Sequence, residues 1–170
     1  MKVLIAEDDN ASRLRLEKLL SDWGHQVTAC GAQAWERYLA GRFHLIISGQ
    51  TDGPDFCRKI RAVSDRHCYF ILLSSRRSDF SRQIDSGIDV LLTKPPDKDE
   101  LKRHLKIVES LVALRSGECR LLPLCAWCQR TRLGDDLWLH LDTGDADFTY
   151  SICPHCSGNL RSMSKSNSNP

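Results

Sequence analysis

Apolar residues recur along the first two-thirds of this chain in short runs, each followed by an amphipathic stretch. "KVLIA" (2–6) is such a run and ends in "EDD", as a strand buried on both faces would. "ASRLRLEKLLSDWG" follows, with Leu16, Leu19, Leu20 and Trp23 on one helical face and Gly24 as a stop. The alternation continues with "HQVTAC" (strand), "AQAWERYLAG" (helix), "FHLIIS" (strand), "DFCRKIRAVS" (helix) and "YFILLS" (strand). "SDFSRQIDSG" predicts a helix with a serine cap and a glycine stop, "DVLLT" a fifth strand, and "DKDELKRHLKIVESLVALR" a longer helix opened by acids. Five strands separated by helices predict an α/β fold, a doubly wound five-stranded parallel sheet covered on both faces.

In such sheets ligands gather at the carboxyl ends of the strands. Those ends read Glu7-Asp8-Asp9, then Gly49, Ser74 and Lys94-Pro95. Adjacent carboxylates hold a divalent cation through oxygen, and a lysine and a hydroxyl stabilise a phosphoryl group. "LIAEDD", "LLSS" and "GIDVLLTKP" together resemble the receiver domain of bacterial two-component response regulators, a flavodoxin-like fold. The resemblance covers roughly one domain's length. It implies a phosphorelay signalling role, a pocket of Asp8, Asp9, Ser74 and Lys94, and a cis bond before Pro95.

Two positions depart from that pattern. The family ends strand three in an aspartate that takes phosphate from a histidine kinase; the resemblance places Gly49 there, which offers no nucleophile. Asp52-Gly53 matches the later Asp-Gly of the family, and Asp52 lies roughly 10 Å further along an extended chain. The family also carries an aromatic reporter three residues before the lysine, where this chain has Leu91. The expectation is a pseudo-receiver without a phosphoacceptor, in which Lys94 offsets the carboxylates and any Mg2+ is held weakly. The alternative is a response regulator using Asp52 or Asp55.

The remainder of the chain differs in character. Cys125 and Cys128, then Cys153 and Cys156, form two C-x-x-C pairs on either side of a loop with Trp138, Phe148 and Tyr150. Two such turns place four thiolates around a tetrahedral ion, and a metal would supply folding free energy that so short a segment lacks. Structural zinc is expected, and iron would use similar turns. His155 is surplus to a four-thiolate shell. "CPHC" also reads as a thiol-disulfide motif through Cys153 and Cys156, but the segment has no room for the larger fold that motif requires. Leu122-Pro123, the two pairs, Arg130 to Asp136, Trp138, Asp147-Phe148 and Ile152 resemble a C-terminal module found after receiver or sensory domains in bacterial signalling proteins.

The expected domains are 1–117 for the receiver, 118–161 for the zinc-ribbon-like module, and a disordered tail over 162–170, with "SGE" (116–118) as the join. Leu101, Leu105, Val108 and Val112, beside Ile107, Leu111 and Leu114, give the last receiver helix two apolar stripes. One would cover the sheet; the other is either part of the same face or a homodimer contact.

Composition adds exclusions. The 170 residues are 41% hydrophobic and 27% charged, with a net charge of +2. That balance gives no reason to expect nucleic acid or a membrane surface. In the cysteine segment Arg120, Arg130, Arg132, Arg161 and Lys165 are outnumbered by Glu118, Asp135, Asp136, Asp142, Asp145 and Asp147, so phosphate reading is not expected there. No apolar run is long enough to span a bilayer, and acid follows Met1 too soon for a secretory leader, so a cytoplasmic location is expected. Together these features predict a non-catalytic signalling adaptor with protein partners, a histidine kinase or another signalling protein, and Trp127 and Trp138 as candidate anchors.

Overall fold

A computed structural model describes residues 1–63, 68–75, 86–116, 121–133, 137–140 and 147–158. It divides into two units, Met1–His104 and Leu105–Pro170.

The first unit is built on strands β1 (Lys2–Ala6), β2 (Gln26–Cys30), β3 (Leu45–Ser48), β4 (Tyr69–Ser74) and β5 (Val90–Thr93), all parallel, in the order β2-β1-β3-β4-β5. The doubly wound sheet is therefore as expected. The three inner strands carry the unbroken apolar runs because both their faces are covered: Val3, Leu4, Ile5, Leu45, Ile46, Ile47 and Ile71 are fully buried. Strand order reverses between β1 and β3, where the register sets Ala6 opposite Ser48. Glu7 and Gly49 thus leave the sheet side by side at its topological switch point.

Helix α1 (Asn10–Asp22) buries Leu16 and Leu20, and Gly24 closes it with φ of 84°, a conformation that favours glycine. On one face of the sheet Leu4, Ala6, Ile46, Phe70 and Leu72 form a core with Ala34 of α2 (Ala34–Ala40) and with Phe56, Cys57 and Ile60 of α3 (Gly53–Val63). Phe56 meets Trp35, Tyr38 and Phe70 edge-on. At the far end of the sheet Arg61 donates to the carbonyls of Gly87 and Cys68 and to the Asp89 carboxylate, which also accepts from Phe70 N. Helix α4 (Lys98–Arg115) buries Leu101, Leu105, Ile107 and Val108.

Some elements differ from the pattern-based expectation. Helix α3 begins at Gly53, two residues before the predicted Asp55, because Gly53 N and Phe56 N reach back to the carbonyls of Gln50 and Asp52. Most of the helix expected over 78–87, and the "GE" of the expected join, lie outside the described residues, as does the tail over 162–170.

The second unit carries β6 (Leu121–Cys125), β7 (Thr131–Leu133), β8 (Leu137–Leu139) and β9 (Asp147–Ser151) in the order β8-β7-β6-β9. β7 is antiparallel to β6 and β8, while β9 runs parallel to β6. Parallel pairing sets Cys125 opposite Ser151, so both C-x-x-C turns leave the same end of the sheet.

Candidate functional site

The rim of the parallel sheet brings Glu7, Asp8, Gly49, Gln50 and Lys94 together. Lys94 follows β5, and its Nζ reaches across the rim to the carbonyl of Gly49 at 2.6 Å and to Glu7 Oε2 at 2.5 Å. The Glu7 side chain is almost wholly buried, at 3% exposure. Its Oε1 accepts from Asp9 N, while Oε2 is held by charge, without a hydrogen bond of good geometry among the described residues. Lys94 thus ties the ends of β1, β3 and β5 together. The Lys94-Pro95 bond is cis.

The carboxylates that sequence reasoning singled out lie differently. Lys94 pairs with Glu7, not with Asp8 and Asp9, because Glu7 is the residue whose side chain turns into the rim as the chain leaves β1. Asp9 is the N-cap of α1 and accepts from Ser12 N at 2.8 Å. Its carboxyl is held below the usual range, first by the Ser12 side chain and then by the Ser12 N–H, with smaller help from Lys94 and Arg13. Asp8 accepts from Gln50 Nε2 at 2.8 Å. Arg13 donates to the carbonyls of Glu7 and Asp8 and to the Asn10 side chain. Ser74 stands half-buried at the end of β4, and its carbonyl accepts from Lys94 N. Glu7, Arg13 and Gln50 were missed from sequence; the one available signal was that Glu7 is the first acid after the strand.

Gly49 is at the end of β3, and its N–H donates to Ala6 O at 2.8 Å. It does not have a positive φ, so its backbone does not demand glycine. The space beside it is taken by the ends of two side chains: a Cβ there would lie 1.9 Å from Glu7 Oε2 and 2.6 Å from Lys94 Nζ, so a larger residue requires both to move. The two acids downstream face away: Asp52 is exposed, and Asp55 is exposed and paired with Arg58.

In the second unit the sulfurs of Cys125, Cys128, Cys153 and Cys156 all lie within 4.8 Å of one another. Cys128 and Cys153 are 3.7 Å apart, close to the roughly 3.8 Å edge of a tetrahedron with metal–sulfur bonds of about 2.3 Å. The second turn aims two amides at sulfur: Cys153 N at Cys125 Sγ, and Cys156 N at Cys153 Sγ. Gln129, with φ of 57°, closes the first turn as its N–H donates to Cys125 O. Burial alone would raise the Cys125 thiol, but the N–H groups of Cys128, Cys153 and Trp127 outweigh it and bring the pKa to about 6. Cys156 is pushed up to about 12, by burial first and then by its sulfur neighbours. Trp138 packs on the cluster. These residues can hold a tetrahedral metal ion, which would stabilise thiolate at every position.

Residues 3–106 match the response regulator receiver domain, so the chain belongs to that family. A curated relative is the transcriptional regulatory protein DltR of Streptococcus agalactiae serotype III (strain NEM316), 24% identical over 129 residues. That match takes in 71% of this chain and 58% of DltR, so the chain spans little more than half the length of the curated relatives it matches. Among solved structures, the receiver domain of a signal transduction histidine kinase from Syntrophus aciditrophicus is 31% identical, with a TM-score of 0.58, covering 65% of this chain and 91% of that one. The receiver domain of sensor histidine kinase PA1611 from Pseudomonas aeruginosa PAO1, which has a magnesium ion coordinated in its active site cleft, is 26% identical, with a TM-score of 0.56, covering 62% and 93%. The chain is thus a two-component receiver protein with a four-cysteine cluster beyond the receiver.

Proposed function

We propose that this protein is a non-catalytic signalling adaptor whose pseudo-receiver works by protein contact and not by accepting phosphate. The observation that carries this reading is the end of β3. Phosphoryl transfer needs an in-line nucleophile held near a metal. Gly49 has none, and the space beside it is taken by Glu7 and Lys94. Asp8 engages Gln50 and Asp9 caps α1, each through one oxygen, while Lys94 neutralises Glu7, which supports weak binding of any Mg2+ here. Asp52 and Asp55 point to solvent, which weighs against the alternative acceptors. The test is intact mass after incubation with acetyl phosphate and Mg2+. The expected result is no phosphate increment. An increment abolished by Asp52→Asn or Asp55→Asn would establish a phosphorylatable regulator instead.

The module beyond the receiver, expected over 118–161, is read as a structural zinc site of Cys125, Cys128, Cys153 and Cys156. Four sulfurs at tetrahedral spacing support zinc, or iron with the same ligands. A thiol-disulfide role for Cys153 and Cys156 is disfavoured: both are buried, and a second pair of sulfurs crowds them. Elemental analysis should find about one zinc per chain for a single four-thiolate site. Trp127, Tyr150 and Ile152 are exposed at 65%, 72% and 50%, and supply apolar anchors for a protein partner. Trp138, packed on the cysteines, does not. The partner class is a histidine kinase or another cytoplasmic signalling protein, with α4 as a route to a homodimer and no nucleic acid or membrane role. None of the described helices is long and apolar enough to cross a membrane.

A further inference from the structure

The missing acceptor leaves one buried charge to explain. Removing a carboxylate from the end of β3 should leave a hole and an unneutralised Lys94. Neither is present. Glu7 fills the hole and pairs with Lys94, although it is only 3% exposed and burying a carboxylate costs several kcal/mol unless it is paired. A residue-49 Cβ would lie 1.9 Å from Glu7 Oε2, far inside van der Waals contact, so Glu7 in this position and any side chain at 49 exclude each other. Glycine is tolerated at 49 for space alone, since its φ is not positive.

We propose that Glu7 is the permanent occupant of the acceptor's place, supplying from β1 the negative charge that holds Lys94 against the ends of β1 and β3. The rim is then fixed in one charge state, and what the domain presents to its partner does not switch with phosphate. This inference rests on Gly49 standing at the acceptor position, as the proposed function has it.

A double-mutant cycle on the full chain tests it, with thermal midpoints followed by circular dichroism. Gly49→Asp puts a side chain into Glu7. Glu7→Ala strands Lys94. Each change alone is expected to lower the midpoint by roughly 5 °C or more. Glu7→Ala/Gly49→Asp is expected to recover at least half of the larger loss, because the tip of Lys94 is flexible and the carboxylate introduced on β3 replaces Glu7 as its partner in the vacated space. If neither single variant folds, a folded double variant still supports the proposal. Losses that add, a single variant without loss, or an unfolded double variant overturn it. Those outcomes leave the acceptorless reading standing. That reading falls only if the unmodified chain gains phosphate in the mass experiment.

Discussion

Glu7, Asp8 and Asp9 are consecutive acids with three different partners. Glu7 is buried against Lys94, Asp8 is held by Gln50, and Asp9 caps a helix. One rotation of the chain as it leaves β1 separates them, and neighbouring acids become a charge plug, an amide partner and a cap. The cap makes its own prediction. Asp9→Ala should lower the urea midpoint at neutral pH, whereas Asp9→Asn, itself a good cap, should lower it less. Because the folded-state pKa of Asp9 lies below its ordinary value of 3.8, its charge stabilises the fold above that value. The contribution is lost as pH falls through the depressed pKa. The difference between the natural chain and Asp9→Ala should therefore shrink in acid, and a gap that widened there would contradict the assignment.

At the scale of elements, the β3–α3 connection decides what the rim can do. Gln50 to Asp52 turn tightly into α3, so the downstream acids point to solvent while Gln50 turns inward. Gly53 holds this turn against β4. A Cβ on it would meet Leu72 Cδ1 at 2.4 Å and Ser48 Oγ at 3.1 Å. Glycine to alanine in a helix normally gains up to about 1 kcal/mol, but overpacking a core costs about 1–3 kcal/mol. Leu72 is buried in the core beside Phe56 and has little room to yield. Gly53→Ala is expected to destabilise by roughly 1 kcal/mol, seen as a lower urea midpoint at unchanged slope. A stabilised variant would mean that the helix start is more open than the packing indicates.

At the scale of the whole molecule, the two units are stabilised by different physics. The first has a sheet buried on both faces and an aromatic core. Among the described residues, the second packs Trp138 against four cysteines, and a metal held there would contribute folding free energy directly. Stripping metal with a strong chelator is expected to melt the β6–β9 sheet while the parallel sheet keeps its thermal midpoint. Loss of both together, or of neither, would count against a structural metal confined to the second unit.

Much of this was legible in the order of residues. Apolar runs ending in acids, a glycine and a lysine were enough for the parallel sheet and its family, because strand burial and rim chemistry repeat with the chain's own periodicity. The four-cysteine cluster was legible for the same reason, since each pair closes a local turn. The partner of Lys94 was not. Glu7, Gly49 and Lys94 are far apart in the chain, and which of three successive acids faces the lysine depends on how β1, β3 and β5 align. Side-chain direction at a strand end, and the volume left beside a glycine, exist only once those strands are side by side; the tertiary structure alone placed the Glu7 carboxylate between Gly49 and Lys94.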